Sequence, residues 1–387
     1  MEENKEKLYP KYRNYSLYVF IVVFVLAYFI GKTIFTDGSQ YFYYDAWIYA
    51  LISVIGGFIL STVFYEIGKI VFGKIAGYKL IKTVILFIKF QRNSEDKLKF
   101  SLCFPENFGG NTLMVKKNDD FNKKSATLYH LGGTLFSVIV FILGIIFVPM
   151  IAKAIGDESI SYCYYLMCGI DLLVIIVNTA PFLSDIFNDG FSLRLCLFSE
   201  ENMKAYHQNL KQYEALLCAN NELKLYEYED YHNLLTIKGL IYNYYYYVDK
   251  DDFENAERML DICLEHKEYI LNDDLAKVHS FKIYFMLLKG EIEKVEKDYW
   301  ELPKSMRKEV NNYHEFECLK TCLLIAAFID LNYDLYEYIT TRLDKNVDKY
   351  YALRQEKEND LIDKALEYIQ KNKKDWFKED NKEPEEQ

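Results

Sequence analysis

Residues 46–72 read AWIYALISVIGGFILSTVFYEIGKIVF, and the first 20 of them, Ala46 to Tyr65, carry no charge. A helix rises about 1.5 Å per residue, so that run alone extends about 30 Å, the thickness of a bilayer's hydrocarbon core. Ala46–Phe64, with a helical extension to Phe72, therefore reads as a membrane span. Working outward, Leu17–Phe35, Leu128–Met150 and Ser161–Ala180 are comparable apolar runs. After Ser199 the chain turns polar and charged. This segregation excludes one soluble globule and predicts a polytopic membrane domain of about four transmembrane helices, joined to a soluble helical domain.

Basic residues orient the spans. Lys5, Lys7, Lys11 and Arg13 precede the first, and the loop Thr36–Asp45 has no Lys or Arg. Segment 74–125 is rich in lysine, whereas the loop after Met150 has Lys153 alone. The positive-inside rule then puts the N-terminus, segment 74–125 and everything after residue 182 in the cytoplasm of a multi-pass cell-membrane protein. The N-terminal apolar run is too long for a cleavable signal. A net charge of −11 excludes a typical nucleic-acid binder, so the expected partners are the lipid bilayer and a peptide or membrane-protein client. The eight cysteines form no CxxC and suit a reducing compartment; Cys318 and Cys322, four apart, read as buried thiols.

Between the second and third spans, Thr83–Ile88 is apolar and β-branched, residues 92–96 are polar, and Leu98–Leu102 partly alternates. The expectation is a β-hairpin over Thr83–Leu102, with an open edge along Val84–Phe90 on which an extended client segment could pair. Gly109-Gly110 reads as a turn. From Glu200 onward, helices restart after turns at Asp249–Asp252, Gly290 and Asn332–Asp334. The restarts at Phe253, Ile292 and Leu335 are spaced by 39 and 43 residues, loose periods that look like degenerate tetratricopeptide-type (TPR-like) repeats, against an irregular helical bundle. The domain reading is 1–44 for the N-terminal segment and first span, 45–198 for the membrane core, 199–372 for the helical domain, and 373–387 for a disordered charged tail.

Ionisable residues within a span are costly and mark function. The second span carries Glu66 and Lys69 in Phe64-Tyr65-Glu66-Ile67-Gly68-Lys69. The third opens with His130-Leu131-Gly132-Gly133, and the fourth ends in Asn178-Thr179-Ala180-Pro181, followed by Asp189-Gly190. Together, over about residues 46–195, these elements resemble the site-2 protease family of intramembrane zinc metallopeptidases. In that family HExGH supplies two histidine ligands and a catalytic glutamate, and a later NxxP…DG element supplies an aspartate ligand. A β-hairpin and a small-residue helix opening lie between. The resemblance aligns Glu66 with the base, Asp189 with the third ligand, and Asn178 and Pro181 with the NxxP element.

Tyr65 and Lys69 stand at the two histidine positions. A phenol is a poor zinc ligand near neutral pH, and a protonated ammonium has no lone pair to give. The resemblance therefore implies a catalytically inactive protein without cofactor, which keeps a groove for a client. In that reading Lys69 takes over the metal's charge beside Glu66 and Asp189. One alternative is an active metallopeptidase with zinc on His130, Glu66 and Asp189. Another is a structural subunit of a peptide-export or transporter complex.

Overall fold

The computed structural model describes residues 46–93, 95–102, 110–118, 121–157, 159–181, 188–218, 222–341, 343 and 354–377. The first apolar run, Leu17–Phe35, lies outside these residues. The described chain is mostly helical with one small antiparallel sheet, and forms two compact units: the first runs to Lys211 apart from Asn93–Asp96, which group with the second, from Gln212 onward.

In the first unit, α1 (Ala46–Ile75), α2 (Lys123–Ile155) and α3 (Ser159–Thr179) are each long and apolar enough to cross a membrane. Asn122 caps α2 by accepting from the Ser125 N–H at 2.8 Å, and Gly156 ends it in the left-handed region at φ 81°. Ile139, Leu143, Ile146 and Phe147 on α2 are 48–54% exposed, an apolar face that water would penalise and lipid would not. The opposite face packs on α1 through glycines. A Cβ at Gly68 would lie 2.6 Å from the Gly132 carbonyl oxygen, and one at Gly133 would lie 2.8 Å from the Tyr65 ring. Small residues allow that backbone approach, as helix pairs in membranes require.

The sheet is larger than the expected hairpin. Its strands are β1 (Tyr78–Ile85), β2 (Ile88–Arg92), β3 (Leu98–Leu102) and β4 (Gly110–Lys116), in the order β3-β2-β1-β4. The run Thr83–Ile88 is not one strand: Ile85 pairs with Ile88 across a tight turn in which Leu86 takes φ 58°. A leucine is an unfavourable occupant of that region, so no residue type announces the turn. Of the glycine pair read as a turn, Gly110 opens β4 and Gly109 lies outside the described residues. Because β4 pairs with β1, Val84 is bonded to Asn111 on one side and Lys89 on the other. The open edge expected along Val84–Phe90 is therefore already filled, by β4 beside β1 and by β3 beside β2. The outer strand β3 is exposed throughout, with Phe100 facing Phe90 at 5.6 Å between ring centroids.

Two shorter helices follow, α4 (Asp189–Phe198) and α5 (Glu200–Leu217). The second unit then contains α6 (Leu234–Asp249), α7 (Phe253–Glu265), α8 (Asn272–Leu288), α9 (Ile292–Glu301), α10 (Lys304–Val310), α11 (Phe316–Phe328), α12 (Tyr333–Thr340) and α13 (Gln355–Asn372). The turns read from sequence recur here as backbone features: Asp251, Gly290 and Leu331 all have positive φ, and Asp252 and Asn332 cap the helices that follow. Every residue of α11 is buried, which makes it the axis of a continuous apolar core. Residues 374–377 form a 3-10 turn that sets Trp376 against Tyr333 and Tyr336. That part of the charged tail is ordered because an aromatic anchor outweighs its charges; residues 378–387 lie outside the described chain.

Candidate functional site

The site is built where α1, α2, β4, α4 and α5 approach one another within the first unit. Helix periodicity puts Tyr65, Glu66 and Lys69 within little more than one turn of α1. All three are buried. Asp189 enters at the first turn of α4, which Asn188 caps by accepting from the Phe191 N–H at 2.8 Å. The Asn188 amide also donates to the carbonyls of Val177 at 2.8 Å and Ala180 at 2.5 Å, tying α4 to the end of α3. A Cβ at Gly190 would overlap the Thr179 carbonyl, so glycine is what lets the two helix ends meet.

Three side chains converge on the Asp189 carboxylate. Lys69 Nζ lies 3.0 Å from Oδ2, the Tyr65 hydroxyl donates to Oδ2 at 3.1 Å, and His130 Nδ1 lies 3.0 Å from Oδ1. Burial alone would raise the pKa of Asp189. The Lys69 ammonium and the His130 contact reverse that and hold the carboxyl below the usual carboxylate range. Lys69 does not extend to the aqueous boundary; it is 6% exposed and also faces the Tyr129 ring at 5.7 Å.

Glu66 takes a separate position. Its carboxylate faces β4, where a Cβ at Gly110 would overlap it, and its Oε2 has no hydrogen-bond partner. Around it, Thr83 and Thr112 pair across β1 and β4 at 2.6 Å, and the Tyr129 hydroxyl donates to the Thr112 carbonyl at 2.9 Å. Tyr129 stacks on Tyr78 at 4.8 Å, and His130 meets Tyr206 of α5 at 5.4 Å.

The structure thus brings together Tyr65, Lys69, His130 and Asp189, with Glu66 alongside. Asn178 is used within its own helix, donating to the Val174 carbonyl at 2.8 Å, and Pro181 is exposed. Asn188, ten residues further on, is the asparagine that ties α4 to the end of α3. Tyr129, Tyr206 and Thr112 were missed, since ordinary core residues have no sequence signal for a site. Asp171 was missed although it is a carboxylate inside a span, the same signal that marks Glu66.

A zinc ion does not fit this arrangement. The two helix positions present a phenol and an ammonium, and Asp189 already accepts from three partners. Among the described residues no three His, Cys, Asp or Glu side chains converge as a ligand set, so His130, Glu66 and Asp189 do not form one. Comparison with known proteins finds no matching family model, no matching curated protein and no matching solved structure.

Beside the site, His207 of α5 is sandwiched by Phe121, stacked at 4.3 Å, and by Tyr78, whose hydroxyl lies 3.3 Å from Nε2. Burial first, then the nearby His130 and Lys116, lower its pKa to about 3. A histidine kept neutral in the folded state stabilises fully above its unfolded value, about 6.5, and that stability is lost as pH falls from there towards 3. Thermal melting of the full chain is expected to weaken progressively below about pH 6.5. In His207→Phe the loss over that pH range shrinks; an unchanged pH profile in the variant would show that His207 is not the group responsible.

Proposed function

We propose that this chain is a site-2-protease-like membrane protein that has exchanged zinc hydrolysis for binding of a peptide or membrane-protein client. It spans the cell membrane four times, with its N-terminus and its TPR-like C-terminal domain in the cytoplasm. The observation that carries the reading is the Lys69–Asp189 ion pair at 3.0 Å. It puts a fixed ammonium against the carboxylate that the family resemblance assigns to the metal, and Tyr65 bonds the same oxygen. With no Lewis acid to lower the pKa of a bound water, Glu66 has nothing to deprotonate at neutral pH.

The client-binding half rests on the second unit. Trp300, Leu331, Tyr333 and Tyr338 are exposed large side chains of that unit, and aromatic anchors of this kind dominate protein interfaces. Arg307 lies over the Trp300 ring at 4.6 Å and sets a cation beside that aromatic. Helical-repeat domains bind extended clients on such surfaces.

Metal analysis of the purified full chain tests the reading. The expected result is zinc far below one ion per chain, and no gain on zinc addition. About one tightly held zinc per chain, lost in Asp189→Asn or Glu66→Gln, would overturn it. Client capture by crosslinking should survive Glu66→Gln and fail when Trp300 and Tyr338 are replaced by alanine. A client whose capture depends on the Glu66 carboxylate would instead point to retained chemistry.

A further inference from the structure

Past the end of α13 the chain turns back on the second unit. Residues Lys374–Phe377 form a 3-10 turn whose two rings land on one face of α12. Trp376 meets Tyr333 edge-on at 5.3 Å and Tyr336 at 5.6 Å, and Phe377 meets Tyr336 edge-on at 6.1 Å. Tyr333 and Tyr336 are three residues apart, so both rings project from the same side of the helix, with centroids 6.1 Å apart. Lys373 closes the corner, its ammonium 5.3 Å from the Phe328 ring and 5.8 Å from that of Trp376. The backbone of the turn is tied elsewhere: the Lys373 N–H donates to the Ile369 carbonyl at 2.7 Å, and the Trp376 N–H to the Lys373 carbonyl at 2.9 Å. Ring contacts therefore dock the turn on α12, while these hydrogen bonds continue α13.

This docking has the character of an interface rather than of a core. The core aromatics Tyr244, Phe281 and Tyr284 of the same unit are 0–1% exposed. Trp376 and Phe377 are only half-buried, and Lys374 and Asp375 before them are exposed. On the side of α12, Tyr333 stays 40% exposed and Leu331, two residues before it, 64%. The apolar face thus extends past the segment that sits on it. Half-buried aromatic anchors with a charged rim are how protein interfaces are built. A single turn held through two side chains also opens at far lower cost than a helix embedded in the core.

We propose that Trp376-Phe377 occupies the Tyr333–Tyr336 face in cis as a stand-in for the client, and that a client segment with two adjacent aromatic residues among mixed charges binds there by displacing it. The present occupant defines that chemistry: Lys374-Asp375-Trp376-Phe377-Lys378-Glu379 sets an aromatic pair between basic and acidic residues. A segment tethered directly to α13 acts at an effective concentration of about a millimolar. Stray aromatic segments at far lower concentration do not compete with that, so the turn keeps the face covered until a client with further contacts arrives. The inference rests on the client-binding reading of the second unit and is independent of the loss of zinc chemistry.

The full chain in detergent is titrated with a fluorescein-labelled peptide of residues Lys371–Asp380, with binding read by anisotropy. The same titration is run on Trp376→Ala/Phe377→Ala, whose fold is checked by its Tm. The peptide is expected to bind the double variant about tenfold or more tighter than the parent, the ratio for a face that the parent keeps occupied about nine-tenths of the time. Adding Tyr333→Ala to the double variant abolishes that binding, and a peptide with alanine at both aromatic positions does not bind. Equal affinity for parent and double variant would overturn the proposal, as would binding that survives Tyr333→Ala. So would the lack of saturable binding to the double variant up to about 1 mM, since the tethered segment would then be too weak to hold the face. Should the double variant not fold, the parent decides. An unlabelled peptide with phenylalanine in place of its tryptophan, at about 1 mM, should raise acrylamide quenching of the protein's tryptophan fluorescence, and the rise should be absent in Trp376→Phe. A parent with no such rise is incompatible with displacement. None of these measurements uses the client, so a negative result strikes the displacement alone and leaves client binding to the crosslinking test.

Discussion

Replacing Lys69 by alanine is expected to destabilise the first unit by about 3–5 kcal/mol, the usual cost of breaking a buried ion pair from one side. The pair is sheltered, with side chains 8% and 10% exposed, so solvent does little to screen what is lost. Without the ammonium, Asp189 keeps hydrogen bonds from Tyr65 and His130 but has no fixed positive charge against it. The carboxylate must then take up a proton or stay charged in a buried site without a counter-charge, and either costs free energy at neutral pH. Adding Asp189→Asn to Lys69→Ala removes the stranded charge and should recover part of the loss. Unfolding of the two single variants and the double variant in detergent gives the coupling directly. Strictly additive effects would show that the two residues do not interact and would remove the support for Lys69 as a substitute for metal charge.

Glu358→Ala in α13 is expected to be comparably severe in the second unit. Glu358 is fully buried between two cations, Lys320 of α11 at 2.5 Å and Arg354 at 3.1 Å. Its removal leaves both cations inside the core, at a cost of about 3–5 kcal/mol or more. For a unit of this size that corresponds to a fall of about 6–20 °C in Tm. Lys320→Met should cost less, because Glu358 then still has Arg354 and a methionine fills the same space. Arg354 is held independently by Asp249 at 2.6 Å, by the Tyr245 carbonyl at 3.2 Å, and over the Tyr245 ring at 4.3 Å. Equal losses for Glu358→Ala and Lys320→Met would contradict this ordering. An exposed control such as Glu254→Ala should stay within about 0.5 kcal/mol of the parent.

The long apolar helices were legible because a bilayer's thickness sets a one-dimensional requirement, and a run of uncharged residues meets it wherever it lies. Helix ends in the second unit were legible for a similar reason. Asp252 and Asn332 cap locally, and Gly290 accepts positive φ at no steric cost. Tyr65, Glu66, Lys69 and Asp189 stood out as charges and departures from a motif within apolar sequence.

What depended on distant residues was not readable. The turn at Leu86-Phe87 has no turn-forming residue, and β4 reaches β1 across a connection of more than twenty residues, so pairing energy in the assembled sheet decided both. His130 lies 59 residues from Asp189, and bundle packing alone turns its ring onto that carboxylate. Local chemistry determined which segments are helical and which charges are out of place. Tertiary packing decided which charges meet, because side chains from separate elements share a site only after the elements dock.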